Sequence, residues 1–332
     1  LVKRVLDFLS YMITAYSAAK QEPTPDVVVS TSPQFFAAVA AWRYAASAKC
    51  HYVFELGDLW PASIAAVGAM RANFVLRLIE RLELRMYRDA NAVVALTQAF
   101  KDNLVARNIP ADKIAVVING VDLWRYAPRD RDPTLAAELG IKKDDIVVGY
   151  IGTHGMAHAL GNILDTAAKL RDHHHIKFLL AGAGAERDTL IARAKTEGLD
   201  NVIFLASQPK SRMPAVWSQC DVALVHLKNS PVFAGVIPSK IFEAMSMGLP
   251  VLFAGPTGEG SEIVKAADAG PVIAAEDPST LAASVLELAT QPDARRRFAA
   301  NSLAAAPAYS REAQAQKMIN VLADVVGEDL KS

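Results

Sequence analysis

The chain has 332 residues, of which 52% are apolar, with 35 basic and 35 acidic side chains. That length exceeds one ordinary core and points to two domains, and the apolar fraction excludes a mainly disordered chain. Charges that cancel leave no whole-chain footprint for nucleic acid. Cys50 and Cys220 lie far apart, without metal-ligand spacing, and fit a reducing, cytoplasmic compartment better than a disulfide scaffold.

In chain order, residues 1–20 come first as an amphipathic helix, too charged at Lys3, Arg4 and Asp7 to span a bilayer. Lys20-Gln21-Glu22-Pro23 behind it is no signal-cleavage site. Short β-branched runs follow at 26–29, 51–54, 92–96 and 114–118, then at 146–151, 176–180, 202–205, 222–225 and 250–253. Most are apolar throughout, as parallel strands covered on both faces are. Helical periodicity occupies 97–107, 163–170 and 186–197 between them. The alternation predicts a doubly wound α/β design.

Within 71–89, Arg77, Arg81, Arg85 and Arg88 share one helical stripe, and Val75, Leu78, Ile79, Leu82 and Met86 supply an apolar face. Such a helix either rests on anionic lipid headgroups or packs on the core with a solvated arginine face, partly paired with Glu80 and Glu83. Asn119-Gly120-Val121-Asp122 closes a strand with turn residues, and a polar link bounded by Pro128 and Pro133 follows. The division expected is a first domain over 1–128, a second over 129–310, and a helix over 311–332 packing back toward the first. Charges divide 14 basic to 11 acidic up to residue 128 and 21 to 24 beyond it, a +3 and −3 asymmetry.

Three segments could carry chemistry. Gly152-Thr153-His154-Gly155-Met156-Ala157-His158 follows a strand and leads into a helix. Free amides and a positive helix end would suit a diphosphate there, with His154 and His158 as added donors. The alternative is a tight turn with two solvent-facing histidines. Ala181-Gly182-Ala183-Gly184 is a second strand-end loop, but Arg187 replaces the third glycine of a dinucleotide fingerprint. In Pro238-Ser239-Lys240-Ile241-Phe242-Glu243, Ser239 reads as an N-cap and Lys240 falls in the first helical turn, where a cation opposes the helix dipole. Either an anion is bound there and Glu243 accepts from sugar hydroxyls, or Lys240 and Glu243 simply pair at i, i+3.

From about Pro25 onward the chain resembles retaining GT-B glycosyltransferases of the family 4 type, nearest the cell-surface polysaccharide branch that includes L-fucosamine transferases. The resemblance rests on Phe54-Glu55-Leu56-Gly57-Asp58-Leu59-Trp60-Pro61, on Asn119-Gly120-Val121-Asp122, and on the three segments above with Gly258-Glu259 after them. It implies two Rossmann-like domains facing a cleft, a nucleoside-diphosphate sugar (UDP-linked) on the second and an acceptor on the first, with no metal or other cofactor. Carried over, Glu243 matches the glutamate that holds the ribose. Gly152, Thr153, His154, Gly155, His158, Gly182, Gly184, Lys210, Pro238, Ser239 and Lys240 match donor-side positions. Asp58 and Glu55 match the acceptor side as catalytic candidates.

Departures narrow the subfamily: Gly235 stands where many members have a glutamate, and Thr153 or His154 where an arginine is common. Gly57 and Ala62 replace an arginine and a glutamate of the branch's Arg-Asp-Leu-Trp-Pro-Glu pattern.

The function implied is sugar transfer with retention to a polysaccharide or lipid-linked oligosaccharide precursor, of the lipopolysaccharide, O-antigen or capsule kind, in the cytoplasm or peripherally on the membrane's cytoplasmic face. A GT-B nucleotide-sugar epimerase and a sugar-nucleotide-binding protein of little activity are the rival readings. The sequence opens at Leu1, with no strand and glycine-rich turn before its first helix. An incomplete first domain is therefore expected, with Val5, Phe8, Leu9 or Met12 exposed.

Overall fold

The computed structural model describes residues 2–59 and 74–327, with backbone alone at 2–5 and 75. Arg71, Trp60, Pro61 and Ala62 lie outside the described residues. The chain divides into two compact units, Leu1–Asn119 with Gln314–Ser332, and Gly120–Ala313. Val121 pairs with Ser310, which ties residues 120–128 into the second unit.

The first unit holds four parallel strands in sequential order: β1 (Val27–Thr31), β2 (His51–Leu56), β3 (Ala92–Ala95) and β4 (Ile114–Val116). Around them lie α1 (Val2–Ala19), α2 (Phe35–Ala48), α3 (Phe74–Asp89) and α4 (Gln98–Ala106). Thr97 caps α4 by accepting from the Phe100 amide at 3.2 Å, as a threonine before a helix should. One sheet face is filled by Phe54, Leu56, Met86, Tyr87 and Leu104. The other, at Val53, Ala92 and Val94, is covered by Met318, Val321, Leu322 and Val325 of the terminal helix, Arg311–Val326. β1 is an edge strand, and its Val29 is 41% exposed.

Helix α3 carries the arginine stripe. Arg77, Arg81, Arg85 and Arg88 are exposed, while Leu76 and Met86 are buried. Leu78, expected on the apolar face, stands in solvent with Phe74, because 74, 78, 81 and 85 share one side. The Glu80 and Glu83 pairing also differs. Glu80 meets Arg107 at 2.6 Å, and Glu83 is buried without a partner for Oε2. On α1, Phe8 is exposed and Leu9 and Met12 are half-buried; the side chain of Val5 is outside the described residues.

The second unit is a six-stranded parallel sheet in the order β10-β9-β8-β5-β6-β7. The strands are β5 (Ile146–Ile151), β6 (Ile176–Ala181), β7 (Val202–Leu205), β8 (Val222–His226), β9 (Val251–Ala254) and β10 (Val272–Ile273). Its helices are α5 (Pro133–Leu139), α6 (Gly161–Lys169), α7 (Arg187–Thr196), α8 (Met213–Trp217), α9 (Lys240–Ser246), α10 (Glu259–Ala266), α11 (Pro278–Thr290) and α12 (Pro292–Ala305). Tyr150, Ile163, Leu164, Phe178, Leu180 and Leu252 make its core. Strand order reverses between β5 and β8, and open α/β sheets bind ligands beyond the carboxyl ends at such a switch point. Each unit is thus Rossmann-like. Among the described residues no helix is long and apolar enough to cross a membrane.

Candidate functional site

Two loops meet beyond β5 and β6. The amides of Gly152 and His154 donate to the carbonyls of Ala181 and Ala183 at 2.9 and 2.8 Å, prolonging the strand pairing. These two donors, expected to be free for an anion, are therefore engaged. Gly182 and Gly184 explain how the loops come so close. Both have positive φ, +153° and +157°, and a Cβ on either would fall on the carbonyl of Gly152 or of His154. The glycines serve this approach of loop to loop. Helix α6 does not begin at the loop but at Gly161, behind a short 3-10 turn over Met156–His158.

The charge comes from side chains. Lys240 opens α9, and its Nζ lies 3.7 Å from the centroid of the Tyr150 ring. A Cβ at Gly152 would sit 2.8 Å from that nitrogen, so the glycine leaves room for the ammonium group. The rings of His154 and His158 approach Tyr150 at 6.0 and 5.8 Å between centroids. His154 is fully buried, and His158 is half-buried. The pair of solvent-facing histidines is thereby overturned, because the turn folds inward over Tyr150, whose hydroxyl donates to the Thr153 carbonyl at 2.8 Å. Thr153 itself is exposed and Gly155 half-buried.

Among the described residues no hydrogen-bond partner meets Lys240 Nζ, either ring nitrogen of His154, or Arg187 Nε. The i, i+3 pair of Lys240 with Glu243 is not formed; Glu243 acts on the lysine only through its charge. Burial pushes Lys240 down to about 7 against that charge. Burial, with the charges of Arg187 and Lys240, pushes His154 down to about 4. Burial and Lys240 likewise push His158 to about 4. A group of bases near one aromatic ring, without a bonded acid, is an incomplete electrostatic arrangement.

The histidine turn is braced from β8. His226, fully buried, donates from Nδ1 to the His158 carbonyl at 2.7 Å and accepts at Nε2 from Asn162 at 2.8 Å. His158 Nδ1 reaches the His226 carbonyl at 3.3 Å. Tyr150, Asn162, His226 and Arg187 escaped the sequence reading. Arg187 had registered only as a defect in a glycine fingerprint, yet its charge acts on His154.

Glu243 sits one turn beyond Lys240. The Trp217 indole donates to its Oε2 at 3.0 Å, and the Tyr126 hydroxyl also bonds it. Burial raises the Glu243 carboxyl, against the Trp217 and Tyr126 bonds and the charges of Lys240 and Lys210. Tyr126 is pushed up to about 12, mainly by burial. Lys210 is exposed in the turn after β7. Ser239 does not cap with its side chain, as expected, but adopts helical angles; its carbonyl accepts from the Phe242 amide at 3.1 Å. Pro238 precedes it, its carbonyl accepting from the Ile241 amide at 3.0 Å. Beside the loops a cavity of about 320 Å³ is lined by Gly152, Thr153, Gly182, Ser207, Gln208 and Met213, among others.

In the first unit, Asp58 and Glu55 stand at the carboxyl end of β2. The Ser32 hydroxyl oxygen accepts from the amides of Gly57 and Asp58 at 2.9 and 3.2 Å and fixes that turn. Glu55 is exposed, opposite Thr31.

The profile of the glycosyl transferases group 1 family matches residues 132–304, and that of a glycosyl transferase 4-like domain matches 3–120. WcaI of Escherichia coli (strain K12), provisionally named a colanic acid biosynthesis glycosyl transferase, is 23% identical over 255 residues, 74% of this chain and 62% of its own. D-inositol 3-phosphate glycosyltransferase of Nocardia farcinica is 29% identical over 238 residues, 69% of this chain and 51% of its own. The chain thus spans between half and two thirds of these relatives' lengths. Among solved structures, Anabaena HepE in complex with UDP aligns with a TM-score of 0.76 at 19% identity, covering 94% of this chain and 82% of that one. Sucrose-phosphate synthase from Thermosynechococcus elongatus aligns at 0.78 and 17%, covering 98% and 80%. At such identity the likeness is one of fold, and the fold is GT-B. With more than half of its residues matched by one profile, the chain belongs to the glycosyl transferases group 1 family.

Proposed function

We propose that this chain moves a sugar from a UDP-linked donor to a polysaccharide or lipid-linked oligosaccharide precursor, with retention at the anomeric carbon. What carries the reading is the set of bases around Tyr150, Lys240 above all, whose buried nitrogen has no hydrogen-bond partner among the described residues, beside a cavity beyond the carboxyl ends of β5, β6 and β7. A departing nucleoside diphosphate gathers negative charge, and cations already held in place stabilise it without reorganisation. Lys240, His154, His158 and Arg187 are assigned to the diphosphate, with Lys210 at the exposed rim. The cavity between Gly152, Gly182 and Met213 is assigned to the nucleoside. Glu243, steadied by Trp217 and Tyr126, accepts from the ribose hydroxyls.

The acceptor is assigned to the first unit, near Asp58 and Glu55, in the manner of the L-fucosamine transferase branch. Attack on the leaving group's own face needs no opposed pair of carboxylates, unlike glycosidase chemistry. HepE is crystallised with UDP and with UDP-glucose, which favours a UDP-linked donor here by analogy of fold. A membrane-bound acceptor is favoured by the exposed Phe74 and Leu78 beside four exposed arginines on α3. That would place the chain peripherally on the membrane's cytoplasmic face.

A thermal-shift series with UDP, GDP and their sugar conjugates tests the donor side, since a ligand that binds only the native state raises its stability. UDP and UDP-sugars are expected to raise the Tm. Glu243→Ala should weaken UDP binding by roughly 1–3 kcal/mol, the cost of losing a charged acceptor. Unchanged affinity in the folded variant rejects the ribose assignment, and no shift with any nucleotide rejects the donor site.

A further inference from the structure

We propose that capture of the nucleoside diphosphate draws protons from solvent onto the Lys240–His154–His158 cluster, so that the second unit charges its own binding site as the ligand arrives. This rests on the donor assignment above and adds how that site is regulated.

The geometry leads there. Three side chains able to become cations stand around one Tyr150 ring, with the ammonium nitrogen at 3.7 Å and the imidazoles at about 6 Å from its centroid. Two of them, Lys240 and His154, are at least nine-tenths buried and have nitrogens without a hydrogen-bond partner among the described residues. Each faces other bases. Lys240 acts on both His154 and His158; Arg187, from α7, acts on His154; and His226, from β8, acts on His158. The acids acting nearby are Glu243 on Lys240, Glu186 on Tyr150, Glu276 on His226 and Asp188, 4.0 Å from Arg187; among the described residues none is in an ion pair with Lys240, His154 or His158. Charging all three bases without an anion would place like charges together out of water, so the unliganded cluster sheds protons.

Burial accordingly holds Lys240 at about 7 and the histidines at about 4. A diphosphate supplies the missing negative charge and the missing acceptors, returning each group toward its ordinary value. His158 shows the consequence most plainly. Its Nδ1 is directed at the His226 carbonyl, so as a neutral ring it offers only a lone pair at Nε2. It can donate to a phosphate from Nε2 only after taking a proton.

Linkage fixes the sign. A ligand that takes up protons binds more weakly as pH rises, tenfold per pH unit for each proton. Above pH 7.5 the nucleotide's own phosphate, with a second pKa of about 6, no longer titrates, which leaves Lys240 as the group that responds.

The test is calorimetric titration of this chain with UDP at pH 8 in buffers of different ionisation enthalpy, with uridine and inorganic pyrophosphate alongside. The expected slope is an uptake of about half to one proton per UDP and none for uridine; pyrophosphate, which still carries a proton of its own at pH 8, reports binding alone. UDP affinity should fall about 3–10-fold between pH 7.5 and 8.5. Lys240→Met, checked for folding by circular dichroism, should lose most of the uptake at pH 8. UDP binding with heats independent of buffer and affinity independent of pH overturns the inference and leaves the donor site standing. Undiminished uptake in folded Lys240→Met overturns the assignment to Lys240. No binding of UDP or pyrophosphate overturns the inference and the donor site together.

Discussion

Among the described residues each unit buries one ionisable side chain whose titration is displaced to about 7, from opposite directions. Lys240 comes down to it and Glu83 comes up to it, burial being the first cause in both. Glu83 lies within α3, 2% exposed, among Met86, Tyr87 and the core of the first sheet. Arg107 favours its charged form while Glu80 and Asp58 oppose it, and it becomes neutral by keeping a proton. Lys240 stands instead at the carboxyl ends of strands, beside a cavity and among other bases. Its neutrality comes from losing a proton, and a bound anion would reverse that. A perturbed titration alone does not mark a site; the surroundings decide whether a ligand could relieve the strain.

The most forceful way to break the comparison is to separate the two loops that frame Lys240. Gly184→Val places a branched side chain on the His154 carbonyl at a backbone φ of +157°. Backbone strain and overpacking together should lower stability by roughly 2–5 kcal/mol, read as the urea midpoint, and abolish nucleotide binding. A variant that keeps its midpoint would show that the loops do not need their close approach.

Next in size is Lys240→Met. The lysine's pKa is depressed in the folded state, so the unfolded chain binds more protons between about 7 and 10.5. The burial penalty is therefore complete below about pH 7 and fades as pH rises toward 10.5. Methionine removes it and should stabilise the unliganded protein by ~1–4 kcal/mol at pH 7 or below, with the gain shrinking at pH 9. UDP should bind the same variant more weakly but still measurably, the usual exchange at a site kept strained for a ligand. Equal stability of variant and parent at pH 6.5 would mean that Lys240 is not held against a penalty.

The sequence disclosed the fold more fully than the site, for a physical reason. Fully apolar runs such as Val147-Val148 and Leu179-Leu180 announce parallel strands, because burial on both faces is a local demand on composition. Only the two-residue β10 was too short to stand out. Gly152, Gly182 and Gly184 were visible too, although the reason for the last two was misread. They accommodate a neighbouring loop, and nothing local says which backbone comes near. Tyr150 and His226 were hidden inside strands, where an aromatic or a terminal histidine looks like any core residue. They meet His158 only because β5 pairs with β8, more than 70 residues later in the chain. Ser239 looked like a cap by type, whereas the helical angles it adopts belong to a backbone already turning at Pro238.

The smallest effect, and the sharpest contrast, is expected from Glu83→Gln. Here the folded pKa is raised from 4.5 to about 7, so the native state holds the extra proton between those values. Stability from this group is complete below about 4.5 and is lost as pH rises through 7, the reverse of Lys240. Glutamine copies the protonated carboxyl in shape and charge, so at pH 5 the variant differs only by its extra amide donor and should be somewhat less stable than the parent. At pH 8 the parent has either ionised a buried carboxyl or bears the cost of holding its proton, and glutamine avoids both. Against this stands the cost of an amide whose second donor finds no acceptor, of order 1–3 kcal/mol. The balance should be a gain of about 1 kcal/mol at pH 8, with the stability of the variant flatter across pH 5–8 than that of the parent. UDP affinity should not change, since Glu83 belongs to the first unit and to no part of the cluster around Tyr150. Two urea-midpoint profiles, one for each variant, then slope in opposite directions: the Lys240→Met gain is greatest on the acid side and the Glu83→Gln gain on the alkaline side. Parallel slopes would show that the two buried groups do not carry opposite charges on ionisation in the folded chain.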